Sequence, residues 1–205
     1  MKKKVIYQLI LDRSGSMNDC VTETISGFNE QVQRIRQLEE QYPDQVVRVN
    51  LCLFNHNISH QIVNARPDCL EELNFETYIP DGMTALYDAI GLSVKNLQQT
   101  VVKQANKSDI RIYVVILTDG YENASEKFTY HKISSQIRDL EAGGKWSFSY
   151  LGATPDAVDI AVRLNIQRNK AIRFSKENMN ATFCDVSENF SKFMSDFDKE
   201  DPDQN

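Results

Sequence analysis

Asp12, Ser14 and Ser16 alternate in Asp12-Arg13-Ser14-Gly15-Ser16, straight after the apolar run Val5-Ile6-Tyr7-Gln8-Leu9-Ile10-Leu11. One carboxylate and two hydroxyls at that spacing offer hard oxygen donors and nothing softer. Two later stretches extend the set. Pro80-Asp81-Gly82-Met83-Thr84 puts a threonine at the start of an amphipathic stretch, and Ile116-Leu117-Thr118-Asp119-Gly120 puts an aspartate at the end of a second apolar run. Asp12, Ser14, Ser16, Thr84 and Asp119 together suit a hard divalent cation, Mg²⁺ first, with Mn²⁺ or Ca²⁺ as alternatives on the same oxygens. The set holds no His or Cys, so zinc and copper match it poorly. Two carboxylates balance the charge of a divalent ion, while neutral hydroxyls leave it electrophilic. An outside Asp or Glu carboxylate can then replace a water on the ion. That chemistry is metal-bridged capture of a protein partner rather than hydrolysis.

Each piece has an ordinary reading when taken alone. Asp12 could cap a helix, Ser14 and Ser16 could be turn residues, and Asp119-Gly120 could be a plain turn. The metal reading rests on the three stretches meeting in space. Arg13, Met17, Tyr87 and Tyr121 neighbour the motif residues and are candidate rim contacts for a partner. Cys20 follows the first motif closely enough to be accessible, whereas Cys52 lies in a strand pattern and is assigned to the core. His56 and His60 are four apart, a spacing that serves a helical metal pair. They fall in a hairpin, so they are read as loop and edge-strand residues.

The elements that must position these groups follow from periodicity. Val5–Leu11 and Ile110–Leu117 are continuous apolar runs, the pattern of strands covered on both faces. Val21, Ile25, Phe28, Val32, Ile35 and Leu38 mark one face of a helix over Thr22–Gln41. Val46–Phe54 reads as a strand and Ile58–Val63 as its antiparallel edge partner across the turn Asn55-His56-Asn57. A short helical turn is expected at Cys69–Leu73, and helices at Thr84–Gln104, Tyr130–Glu141 and Pro155–Leu164. Trp146–Leu151 and Ala171–Phe174 complete the strands. Phe183, Val186, Phe190, Phe193 and Phe197 mark a closing helix. The alternation predicts an α/β fold: a doubly wound, mostly parallel sheet of about six strands with one antiparallel edge and helices on both faces. Asp12 and Asp119 then fall at strand carboxyl ends and Thr84 on a loop at that same edge, where such sheets bind ligands.

With these positions in hand, the sequence resembles a von Willebrand factor type A (vWA) domain. The family's metal-ion-dependent adhesion site (MIDAS) is D-x-S-x-S, a distant Thr and an Asp in a T-D-G context. Asp12, Ser14 and Ser16, Thr84 in Asp81-Gly82-Met83-Thr84, and Asp119 in Leu117-Thr118-Asp119-Gly120 match all five positions. The resemblance covers Lys4 to Phe197, which makes residues 1–198 a single domain and 199–205 an acidic, disordered tail. It implies a Rossmann-like vWA fold and a stand-alone intracellular adaptor, within a larger complex, that binds an acidic residue of its partner through the metal. It further implies direct ligation by Ser14 and Ser16, ligation by Thr84 directly or through water, and Asp12 and Asp119 acting through waters and hydrogen bonds to the serines.

Composition bounds the alternatives. The 205 residues carry a net charge of −6, which argues against a general nucleic-acid binder. No apolar stretch approaches the roughly 20 residues of a membrane span, so no membrane insertion is expected. Met1-Lys2-Lys3-Lys4 and the following apolar run end in Asp12-Arg13 without a small-residue cleavage site, so a buried strand fits better than a secretory signal. Four scattered cysteines without a C-x-x-C pair fit reduced thiols. The expected location is cytoplasmic. An enzyme of the phosphoryl-transfer type, built on a nucleophilic aspartate, would want a second carboxylate where Ser14 stands and a lysine near the metal. A nucleotide-binding protein would want G-x-G-x-x-G or G-x-x-x-x-G-K-[ST], and neither occurs.

Overall fold

Strand β1 (Lys3–Asp12) pairs in parallel with β2 (Gln45–Phe54) on one side and with β4 (Ile110–Thr118) on the other. It therefore lies inside the sheet, with a strand on either side. Its residues from Val5 to Asp12 are all buried, and alternate side chains enter two separate cores. Val5, Tyr7, Leu9 and Leu11 face one, and Ile6 and Ile10 face the other. This is why its sequence is a continuous apolar run rather than an alternating one. Gln8 is the exception, and its buried amide donates to the Leu9 carbonyl at 3.0 Å.

The computed structural model describes residues 2–102, 110–176 and 179–199. Its six strands run in the order β3-β2-β1-β4-β5-β6, where β3 is Ile58–Ala65, β5 Trp146–Gly152 and β6 Ala171–Arg173. Only the β2–β3 pair is antiparallel, at the edge. Helices α1 (Val21–Gln41) and α5 (Met179–Lys199) cover one face. On the other lie α2 (Leu86–Val102), α3 (Tyr130–Ala142) and α4 (Ala157–Arg163). The expected fold class is thus the observed one. The strand order reverses between β1 and β4, so their carboxyl ends border the crevice where such sheets bind ligands.

The α1–α5 face is closed by aromatic packing. The Phe190 ring meets Tyr7 edge-on at 4.9 Å between centroids and lies 5.2 Å from Tyr113. Helix α1 admits α5 closely because Gly27 has no side chain. A β-carbon there would come 2.3 Å from the Phe183 ring.

Several boundaries differ from expectation for local reasons. Helix α2 starts at Leu86, not Thr84, because the Thr84 backbone is bonded elsewhere. Its N–H donates to Asn123 Oδ1 at 2.8 Å, and its carbonyl accepts the Asn123 and Ala124 N–H groups. The expected end at Gln104 and residues 200–205 of the expected tail lie outside the described residues, while Lys199, expected to open that tail, is the last residue of α5. The helical turn sits at Pro67–Cys69 rather than Cys69–Leu73. The segment after it is held by α1: Arg36 donates to the Pro67 and Leu70 carbonyls, and Asn29 pairs with both backbone groups of Leu73. Helix α4 starts two residues after Pro155, at Ala157. Cys20 is fully buried, not accessible. Its thiol points at the Met17 carbonyl, and burial pushes its pKa up to about 11. All four cysteines are free. Among the described residues no helix is long and apolar enough to cross a membrane.

Phe190→Ala should cost about 3–5 kcal/mol, read as a lower urea midpoint at unchanged m-value. A loss below about 1 kcal/mol would show that the aromatic cluster does not hold α5 to the sheet.

Candidate metal centre

Asp12 closes β1 and is wholly buried. Its Oδ1 accepts the Ser14 N–H at 2.7 Å, the local turn that bends the chain out of the strand. Its Oδ2 accepts the Thr118 hydroxyl at 2.5 Å, so the neighbouring strand fixes the other oxygen. Its backbone carbonyl accepts the buried Tyr78 hydroxyl at 2.5 Å. Burial pushes the Asp12 carboxyl up to about 6, and nearby Asp119 adds to this. The hydrogen bonds from Thr118 and Ser14 work the other way.

Ser14 precedes a 3₁₀ turn, Gly15–Cys20, which carries Ser16 back over the strand ends. The Ser14 and Ser16 hydroxyl oxygens are 3.2 Å apart, and Ser16 Oγ donates to Asp119 Oδ1 at 2.6 Å. Thr84 is 3% exposed. A β-carbon added at Gly120 would lie 3.3 Å from Ser16 Oγ and 3.5 Å from Thr84 Oγ1. Both hydroxyls therefore converge on the turn after β4. All five candidate ligands meet at one place, the carboxyl ends of β1 and β4.

Backbone contacts between loops hold this arrangement. Arg13 N–H donates to the Phe54 carbonyl at 2.7 Å, and its own carbonyl accepts the Asp81 N–H at 2.9 Å. Gly15 N–H donates to the Gly82 carbonyl at 2.9 Å. Asn55 Nδ2 donates to both the carbonyl and the carboxylate of Asp81. Gly82 has φ +71°, and a β-carbon there would come 2.2 Å from His56 Nδ1, so only glycine fits. On the far side, Glu122 accepts the backbone N–H groups of Tyr87, Ala124 and Ser125, and Asp88 accepts those of Glu126, Lys127 and Phe128.

The donor set fits a hard divalent ion. It is made of oxygens, two of them on buried carboxylates, and buried charge needs a counter-charge. One cation already reaches it: Lys176 Nζ lies 2.6 Å from Asp119 Oδ2 and 2.7 Å from the Ser16 carbonyl. Burial pulls the Lys176 ammonium down, but the Asp119 carboxylate more than offsets this and holds it above the ordinary lysine value. Among the described residues no three His, Cys, Asp or Glu side chains cluster. A metal here would draw on the serine and threonine hydroxyls beside the two carboxylates.

The rim differs in part from the sequence reading. Tyr121 is 55% exposed, with its hydroxyl donating to Asp156 Oδ1 at 2.9 Å. Arg13 is half-buried. Tyr87 is also half-buried and packs its ring toward Tyr130, 6.3 Å between centroids. Met17 is not a rim residue. The turn that bonds its N–H to the Ser14 carbonyl sends its side chain into the α1–α5 core, fully buried. Met83 and Ile79, passed over in the sequence, are exposed on the loop leading to Thr84. His56 and His60 do not pair: His56 covers Gly82, and His60 contacts Asn96 at 3.0 Å. Sequence reasoning also missed Tyr78, Asp88, Thr118, Glu122 and Lys176 as parts of the site. Two of these left a signal: Asp88, as a carboxylate among the buried positions of α2, and Thr118, as the first residue of the T-D-G context.

No family model matches the sequence, and no curated protein matches it. Solved structures do. The von Willebrand factor domain of the type V pili tip protein Mfa5 from Porphyromonas gingivalis superposes with a TM-score of 0.68 at 9% identity, over 95% of this chain and 97% of that one. The PilB minor pilin from Streptococcus sanguinis gives 0.62 at 15% identity, over 95% of this chain and 63% of that one. Proximal thread matrix protein 1 from the mussel byssus, with a zinc-occupied MIDAS motif, gives 0.57 at 14% identity, over 93% and 46%. The chain thus spans less than two thirds of the pilin and about half of the byssus protein. At these identities the likeness is one of fold, and the fold is vWA-like.

Thr118→Val leaves a buried Asp12 oxygen without its donor. It should cost about 1–3 kcal/mol of stability by denaturant titration. An unchanged stability would show that this bond does not anchor Asp12.

Proposed function

We propose that this protein is a metal-dependent protein-binding domain of the adhesion or adaptor type. Asp12, Ser14, Ser16, Thr84 and Asp119 would hold a divalent cation, Mg²⁺ by preference or Mn²⁺ or Ca²⁺. A partner would supply an Asp or Glu carboxylate to complete the shell. The observation that carries this reading is the meeting of all five residues at the carboxyl ends of β1 and β4, with hydroxyls facing one another and both carboxylates buried behind them. Similar folds in a pili tip protein and a minor pilin support a role in protein–protein contact. The zinc-occupied MIDAS of the byssus protein supports a divalent ion and adds zinc to the candidates, against the expectation from ligand softness. Tyr121, Met83 and Ile79 would supply apolar contact around the ion. The free thiols support a cytoplasmic setting, which belongs to the same proposal.

Lys176 supplies the lysine that a phosphoryl-transfer site would want. Such a site also needs an aspartate oxygen free to attack. Both Asp12 oxygens are occupied by donors and the residue is wholly buried, which weighs against that chemistry.

Calorimetric titration should detect Mg²⁺ or Mn²⁺ binding to the wild type and lose it, by about 100-fold or more, in Asp12→Ala and Ser14→Ala. A pull-down in which a protein is retained with metal, released by chelator and competed by free carboxylate would identify the partner. A wild type that binds no divalent ion, even with a carboxylate added, would sink the reading.

A further inference from the structure

The Lys176 ammonium is a charged feature of the site that the five-residue pattern does not account for. Lys176 lies between β6 and α5, and its side chain is 29% exposed. Its Nζ sits 2.6 Å from Asp119 Oδ2, 2.7 Å from the Ser16 carbonyl and 3.5 Å from Asp19 Oδ2. Asp119 has a side chain with no exposure at all. Its Oδ1 is engaged by the Ser16 hydroxyl, so its two oxygens are divided between a candidate ligand and a lysine. Among the described residues no cation pairs with Asp12, whose carboxylate accepts from the neutral donors of Ser14 and Thr118.

We infer that Lys176 is an internal counter-cation of the metal centre, which shares Asp119 with the divalent ion and sets how tightly that ion is held. This rests on the metal-binding reading above. With Lys176 in place the two carboxylates present one net negative charge to an incoming ion rather than two. The ammonium also repels that ion across Asp119. It ties down Oδ2 as well, which keeps Asp119 from turning both oxygens toward the metal. Lys176 is therefore a positioning residue, not a ligand. Without a metal it keeps Asp119 from being an unpaired buried charge, a state that is strongly destabilising. With a metal bound it leaves the centre with a net positive charge, which favours an anionic partner group.

The test compares wild type, Lys176→Met and Lys176→Arg as full chains, using MnCl₂ and MgCl₂ in calorimetry and thermal melts in chelator and in saturating metal. Lys176→Met keeps the length of the side chain and removes its charge. It should bind Mn²⁺ about tenfold more tightly than wild type, the size expected for removing one like charge a few ångströms from the ion. In chelator it should melt below wild type, and saturating Mn²⁺ should raise its melting temperature by more than it raises that of wild type. Lys176→Arg keeps the charge and should stay within about threefold of wild type in affinity. Metal binding by Lys176→Met alone would support the inference in its strongest form. If both bind metal and Lys176→Met is equal or weaker, the role given to Lys176 is wrong while the metal reading stands. If no form binds metal, both fall together. If Lys176→Met is too unstable to titrate, the arginine variant decides: affinity more than about tenfold from wild type overturns the role, and wild-type-like affinity supports it.

Discussion

Two carboxylates at the ends of neighbouring parallel strands, neither exposed to water, are the constraint that the rest of this molecule answers to. Parallel strands bring their carboxyl ends side by side, and β1 and β4 do so at the point where the strand order reverses. Placing Asp12 and Asp119 there concentrates negative charge where the chain must also turn outward. The fold meets this with donors from every nearby loop. Thr118 bridges from β4 to the β1 aspartate, Ser14 and Ser16 fold back from the first loop, and Lys176 arrives from beyond β6. Lys176 brings positive charge to Asp119 alone, and a metal ion would supply the charge that the neutral donors around Asp12 lack.

The two cores serve the same end. Because β1 buries both faces, its end cannot shift without disturbing aromatic packing under α5 and aliphatic packing under α2 at once. The Tyr78 hydroxyl pins the last carbonyl of that strand from a third direction. The positions of Asp12 and its neighbours are thus set by a rigid scaffold, the condition that an ion with strict coordination demands would need.

Much of this was legible in the sequence because it depends on period and punctuation. Continuous apolar runs identify doubly covered strands, and the helical stripes from Val21 to Leu38 and from Phe183 to Phe197 identify the helices that cover them. The placement of the candidate ligand residues was legible because a strand followed by a hydroxyl-rich loop fixes where the chain turns. What was hidden lies in tertiary pairing. Nothing in the local sequence of Lys176 says that its amine reaches Asp119, and nothing around Thr118 says that its hydroxyl faces β1. Met17 misled for a related reason. Adjacency to a motif suggested exposure, but a 3₁₀ turn rotates successive side chains by about 120°, and Met17 takes the inward position. The start of α2 was misplaced because an asparagine from another loop claims the Thr84 backbone.

Asparagine 123 carries a consequence for recognition. Its side chain and backbone both bond to Thr84, while Glu122 and Asp88 spend their carboxylates on backbone N–H groups of the same two segments. The loop bearing Met83 and the loop bearing Tyr121 are therefore stitched into one stiff plate rather than two independent fingers. A protein that settled on this plate, as the proposed function requires, would find its shape already set. Most of the entropy that flexible loops would surrender at the moment of contact has been given up when the chain folds. Discrimination between partners would then fall on fit, since a surface that cannot remould itself rejects whatever does not match it.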